Sequence, residues 1–193
     1  MTGRLVVLTS GTGTNLQAIM DACATNVLAA DVVAVISNNR DARSLKRAQD
    51  AGIEAVCLEK EQGEKRRDYD TRLAAQVAQF VPDYVVLAGW MLLLSANFLD
   101  HVGCPVINLH PALPGELPGV NSIERAHSEA IRGERVRSGV MVHFVPDEGV
   151  DNGPVIAAVE IPVSAQDSLE EFTQRVHEAE HKLLVDALIE LCN

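Results

Sequence analysis

Asn108 and His110 stand two residues apart, with only Leu109 between them, at the end of a short apolar run that begins at Pro105. If that run is a strand, alternation sends Asn108 and His110 to one face and Leu109 to the other. An amide donor and an imidazole projecting together from the carboxyl end of a strand suit acyl transfer. One stabilises a developing oxyanion while the other moves a proton. Pro111-Ala112-Leu113-Pro114-Gly115 follows and stiffens the loop. Further along, Asp147-Glu148-Gly149-Val150-Asp151-Asn152-Gly153-Pro154 is a glycine-punctuated acidic loop before another strand-like run. An aspartate there can orient the histidine and raise its pKa, as neighbouring carboxylates do. Each feature also has a plainer explanation. A strand-end histidine often only satisfies a structural hydrogen bond. An Asp/Gly loop is usually a turn, and this one lacks the spacing and terminal glutamate of an EF-hand.

A second segment with chemistry opens the chain. Thr9-Ser10-Gly11-Thr12-Gly13-Thr14-Asn15 lies between an apolar run and a helix-like stretch. Glycines let a backbone approach an anion, and a helix N-terminus supplies free N–H groups and a positive dipole. The hydroxyls of Thr12 and Thr14 add donors, and Asn15 is placed to cap the helix. The dinucleotide fingerprint G-x-G-x-x-G fails for want of its third glycine. The acidic residue expected after the second strand is replaced by Asn38 and Asn39. The Walker pattern fails as well. A monophosphate is the anion this loop suits best, and a ligand-free Gly-rich turn is the alternative.

The elements that must hold these groups alternate between two periodicities. Arg4–Thr9, Asp31–Ser37, Glu54–Leu58, Tyr84–Ala88 and Pro105–Leu109 read as strands. Asn15–Ala24, Ser44–Ala51 and Arg66–Phe80 read as helices. The third carries Tyr69, Leu73, Val77 and Phe80 on one face and is stopped by Pro82. Such alternation means parallel βαβ units with both sheet faces covered. After Leu109 come a Pro/Gly-rich loop at His110–Gly119 and a helix near Ser122–Ile131. Two strands follow, Ser138–Phe144 and Val155–Ile161, and then a long terminal helix. Ser168 with Glu171 forms a capping box for that helix. Leu169, Phe172, Val176, Ala179, Leu183 and Ala187 form its core stripe.

Composition narrows the class. The 193 residues suit one domain, and with 47% hydrophobic but only 4% aromatic residues the core must be aliphatic. A formal charge of −11 argues against a nucleic-acid partner, though not against a small anion in a local nest of donors. Cys23, Cys57, Cys104 and Cys192 form no C-x-x-C pair, so zinc and redox readings are weak. Met1-Thr2-Gly3-Arg4 leads straight into a strand without signal-peptide architecture, and no apolar run can span a bilayer. No membrane association and a cytoplasmic location are expected. The residues alone lead to an α/β enzyme with an anion loop and an acid–base site.

Five ordered segments then carry a resemblance over almost the whole chain. Val7 to Ile19 resembles the phosphate loop of the glycinamide ribonucleotide formyltransferases, and Leu87-Ala88-Gly89-Trp90-Met91 their folate-pocket segment. Asn108-Leu109-His110-Pro111-Ala112-Leu113-Pro114 resembles the formyltransferase signature. Val142-His143-Phe144-Val145 with the Asp147–Pro154 loop resembles the last catalytic loop. Glu180-His181 resembles a pair on the terminal helix. The resemblance implies one formyltransferase domain over residues 1–193, Rossmann-like, with a mostly parallel, twisted seven-stranded sheet and helices on both faces. Residues of about 1–104 would form a ribonucleotide-phosphate half, and about 105–193 a catalytic and folate half. It implies formyl transfer from 10-formyltetrahydrofolate to the amine of glycinamide ribonucleotide in purine biosynthesis, with no metal and no covalent intermediate. Asn108, His110 and Asp151 would be catalytic. Gly11, Thr12, Gly13, Thr14, Asn15, Gly89, Pro111 and Glu180 would bind the ribonucleotide. Trp90, Met91, Leu92, Leu93, Leu94, Val145 and Asp147, with Asn108 and Asp151, would bind folate. The expected assembly is a monomer or a homodimer.

The chain departs from the family at three positions. Leu92 stands where many members carry arginine, Asn121 where several carry histidine, and His177 where some carry lysine. His177 is read either as a pH-dependent phosphate ligand or as an exposed helix residue. Two relatives are set aside as rivals. Formyltetrahydrofolate hydrolases carry an N-terminal regulatory domain, for which a first strand at Arg4 leaves no room. Methionyl-tRNA formyltransferases carry a C-terminal RNA-binding extension, and this chain is acidic and ends at Asn193. A non-catalytic nucleotide-binding module would explain the glycine loop but not Asn108, His110 and Asp151 together.

Overall fold

The computed structural model describes residues 2–192. Within them seven strands form one sheet: β1 (Gly3–Thr9), β2 (Ala30–Ser37), β3 (Glu54–Cys57), β4 (Tyr84–Leu87), β5 (Val106–His110), β6 (Arg137–Phe144) and β7 (Val155–Pro162). Their spatial order is β3-β2-β1-β4-β5-β6-β7. The first five are parallel, and β6 and β7 are antiparallel additions at one side. Among the described residues five helices connect strands, α1 (Thr14–Ala24), α2 (Arg43–Asp50), α3 (Arg66–Ala78), α4 (Ala96–His101) and α5 (Ser122–Ile131), and α6 (Leu169–Cys192) follows β7.

The period-2 pattern of β1 shows how the sheet is held. Leu5 and Val7 face one buried cluster, with Leu16 and Ile19 of α1 and Phe172, Val176 and Leu184 of α6. Val6 and Leu8 face the other, with Tyr69, Leu73 and Val77 of α3 and Phe98 of α4. Every one of these side chains is essentially inaccessible, and each aliphatic burial contributes about 1.5–3 kcal/mol. A strand apolar on both faces therefore has to lie in the middle of the sheet. No helix among the described residues is long and apolar enough to cross a membrane.

Several expectations shift in detail. Asn15 does not cap α1. Gly13 takes that place in a left-handed conformation (φ 72°), and the Asn15 amide instead donates to Glu180 Oε2 at 3.3 Å. The stripe on α6 turns from Leu183 to Leu184 and Leu188 in its second half and leaves Leu169 exposed, because 3.6 residues per turn carries a straight stripe off the buried face. The capping box is present: Ser168 N–H donates to Glu171 Oε2 at 2.9 Å, and Glu171 N–H donates to Ser168 Oγ at 3.2 Å. α4 was not anticipated. Six residues are too few for a helical period to show.

Candidate active site

β1 and β4 are parallel neighbours, but the chain leaves them in opposite directions, towards β2 and β3 on one side and β5 on the other. A crevice opens where the order reverses, outside the carboxyl ends of the strands. The loops after β1 and β4 are tied across it. Ser10 N–H donates to Gly89 O at 2.9 Å, and Met91 N–H donates to Ser10 Oγ at 2.9 Å. The crevice is a cavity of about 490 Å³.

Every residue given a catalytic or binding role from the sequence lines this one cavity. At one end the loop Gly11–Thr14 and Asn15 face Glu180 of α6. At the other, the segment from Trp90 to Leu94 faces Val145 and Asp147, while Gly89, joined to Ser10, borders the glycine loop. Asn108, His110, Pro111 and Asp151 lie between them. The contribution of residues 90–94 is uneven. Met91 and Leu93 are open to solvent at 63% and 54%, whereas Trp90 and Leu94 sink into the second core cluster. Their side chains anchor the segment. Leu92, Asn121 and His177 line the cavity too, and His177 Nε2 lies 4.0 Å from Glu180 Oε2.

The central groups form one hydrogen-bonded cluster. Asn108 and His110 do share a face of β5. Asn108 Nδ2 donates to Asp151 Oδ1 at 3.0 Å, and His110 Nδ1 lies 3.3 Å from Asp151 Oδ2. Asp151 also accepts the Gly119 N–H at 2.8 Å. These three contacts hold the aspartate at φ 51°, a left-handed conformation that a non-glycine residue keeps only when its surroundings require it. A fourth member is His143, which the sequence placed in a segment resembling the last catalytic loop but gave no role. Antiparallel pairing sets His143 directly opposite Asn108, and its Nε2 sits 3.1 Å from Asn108 Nδ2. Its Nδ1 lies 2.8 Å from Phe144 O, and its Nε2 also stands 3.7 Å from Asp151 Oδ1. Period-2 alternation within Ser138–Phe144 was the available signal, but only the β5–β6 register turns it into a contact.

Charge in the cluster follows burial. His110 is 4% exposed, and burial holds its pKa below the ordinary histidine value despite the upward pull of Asp151. The expectation that the aspartate would raise the histidine pKa is thus met in direction but outweighed in sum. His110 Nε2 also lies 3.2 Å from Leu117 O. Both ring nitrogens face atoms that only accept, so a neutral ring satisfies one and an imidazolium satisfies both. Burial opposes ionisation of Asp151 as well. His143, the Gly119 N–H and His110 together outweigh it and hold the carboxyl below its usual range. At the far end burial pushes Glu180 up to about 7, opposed only by the Asn15 bond, and burial lowers His177.

Comparison with known proteins agrees with this geometry. The formyl transferase family matches residues 3–188. Phosphoribosylglycinamide formyltransferase of Escherichia coli is 42% identical across 93% of this chain and 82% of its own length. The enzyme of the same name from Schizosaccharomyces pombe is also 42% identical, across 97% of this chain and 96% of its own. The crystal structure of glycinamide ribonucleotide transformylase 1 from Symbiobacterium toebii superposes with a TM-score of 0.91 at 34% identity, covering 99% of this chain and 88% of that one. In sequence and in backbone alike, the chain belongs to the formyl transferase family.

Proposed function

We propose that this protein transfers the formyl group of 10-formyltetrahydrofolate to the primary amine of glycinamide ribonucleotide, a step of purine biosynthesis. One observation carries the reading: a loop of free N–H groups and the Asn108–His110–Asp151 cluster open into the same cavity, one suited to a phosphate and the other to acyl transfer. The ribonucleotide phosphate is assigned to Gly11–Asn15, its sugar or glycinamide part to Glu180, and folate to Met91–Leu94, Val145 and the Asp147–Asp151 loop.

Attack of the amine on the formyl carbon makes a tetrahedral intermediate with a negative oxygen and a positive nitrogen. The Asn108 amide nitrogen is held before substrate arrives, donating to Asp151 Oδ1 and facing His143 Nε2. The amide is therefore already oriented, and it receives the formyl oxygen by exchanging one of these contacts. His110 rests neutral through burial, with a carboxylate positioned to stabilise it once it gains a proton. It accepts the proton of the attacking amine and returns it to the departing folate nitrogen.

The test is formyl transfer measured with and without glycinamide ribonucleotide. Product only in the presence of the amine is expected. Formate released without it would make the protein a hydrolase, and tight ligand binding with no turnover would make it a binding module.

A further inference from the structure

The anion end of the cavity holds no permanent positive charge, and burial lowers the pKa of His177, which stands there beside Glu180. Among the described residues no lysine or arginine lines the cavity, while five carboxylates do: Glu124, Asp147, Glu148, Asp151 and Glu180. A phosphate dianion placed there needs charge from behind the wall. Arg47 of α2 stands behind it. Its Nε donates to Thr12 O at 2.9 Å and its Nη1 to Gln17 Oε1 at 3.0 Å.

The neighbouring peptides are held the same way. Ser44 N–H donates to Gly11 O at 3.2 Å, and Gln17 N–H donates to Gly13 O at 3.0 Å. Three successive carbonyls are thus taken by the scaffold. In a trans peptide the C=O and the following N–H point in opposite directions. Holding the carbonyls of residues 11, 12 and 13 away from the cavity turns the N–H groups of Thr12, Gly13 and Thr14 towards it. The N–H groups of Thr12 and Gly13 donate to no protein acceptor among the described residues, and those of Thr14 and Asn15 are free first-turn groups of α1. α2 also presses hard on the loop: a Cβ at Gly13 would come within 2.7 Å of Ser44 Cβ.

We infer that Arg47 is a positioning and specificity-determining residue for the phosphate. It fixes the Thr12–Gly13 peptide with its N–H towards the ligand. It also supplies the positive charge by which this loop selects a phosphate dianion over a neutral group. The inference rests on the assignment of this loop to the ribonucleotide phosphate.

Arg47 variants read by steady-state kinetics and by thermal protection test it. R47M should raise the KM for glycinamide ribonucleotide roughly 10- to 100-fold, the size of a lost charge-assisted contact. Its kcat and its KM for 10-formyltetrahydrofolate should stay within about twofold. R47K, which keeps a charge and a donor, should recover most of the loss. Inorganic phosphate should protect the wild type against thermal unfolding and protect R47M much less. Should R47M fail to fold, R47Q removes the charge while keeping an amide donor. A ribonucleotide KM within about twofold of wild type overturns the inference. So does a parallel loss of both KM values and of thermal stability that lysine does not rescue. If the wild type makes no product yet its phosphate protection depends on Arg47, the assigned reaction falls and the role of Arg47 stands.

Discussion

Replacing Glu180 by glutamine removes one buried charge and keeps the shape. Glu180 is 6% exposed, and among the described residues its carboxylate accepts a hydrogen bond only from the Asn15 amide, at 3.3 Å. Burial raises its carboxyl from 4.5 to about 7. The folded pKa lies above the unfolded one. The stability associated with the neutral carboxyl is therefore complete below pH 4.5 and is lost as the pH rises to about 7. That gap corresponds to about 3 kcal/mol, from about 1.4 kcal/mol per pH unit. Glutamine cannot ionise, so Glu180→Gln should match wild type at pH 4.5 and be more stable by about 3 kcal/mol at pH 8. For a chain of this length that is roughly 6–12 °C in melting temperature. Urea unfolding of the ligand-free proteins from pH 4.5 to 8 measures it. Stability curves that stay parallel across this range would show that the folded protein does not hold Glu180 neutral. A carboxylate kept at such a cost is explained by what it does when substrate arrives, so the same variant should raise the KM for glycinamide ribonucleotide.

Three further outcomes are expected. His110→Ala should cut turnover by a factor on the order of 10² to 10⁴ with ribonucleotide affinity nearly unchanged; a variant that keeps most of its turnover removes His110 from the chemistry. Asp151→Asn takes away the charge that pulls the His110 pKa upward, so the histidine should titrate lower still by NMR and the pH–rate profile should shift with it; identical titrations would leave Asp151 only a turn residue. Gly13→Val places a branched side chain at φ 72° against Ser44 and should raise the ribonucleotide KM with little effect on folate, measured by steady-state kinetics; a selective loss of folate binding would reverse the two ends of the cavity.

Much of the fold was legible because its signals are local. Unbroken apolar runs within Arg4–Thr9 and Tyr84–Ala88 marked buried strands, and the serine and glutamate three residues apart marked the start of α6. Asn108 and His110 were assigned to one face of a strand by counting alone, and they share it. Asn15 was misread for a related reason. Its type favours a cap, but the left-handed glycine before it begins the helix and a carboxylate 165 residues away engages its amide.

The sequence by itself determined the parallel α/β class, the glycine loop at a helix start and the polar residues at the end of β5, since each follows from spacing along a few residues. Only the tertiary structure decided which of them meet. His143 joins the site because antiparallel register sets it across from Asn108, and Arg47 braces the loop because α2 packs behind it. The protonation of His110 and Glu180 was decided there as well. A pKa depends on how much water is excluded and which charges stand within a few ångströms, and neither quantity exists until the chain has folded.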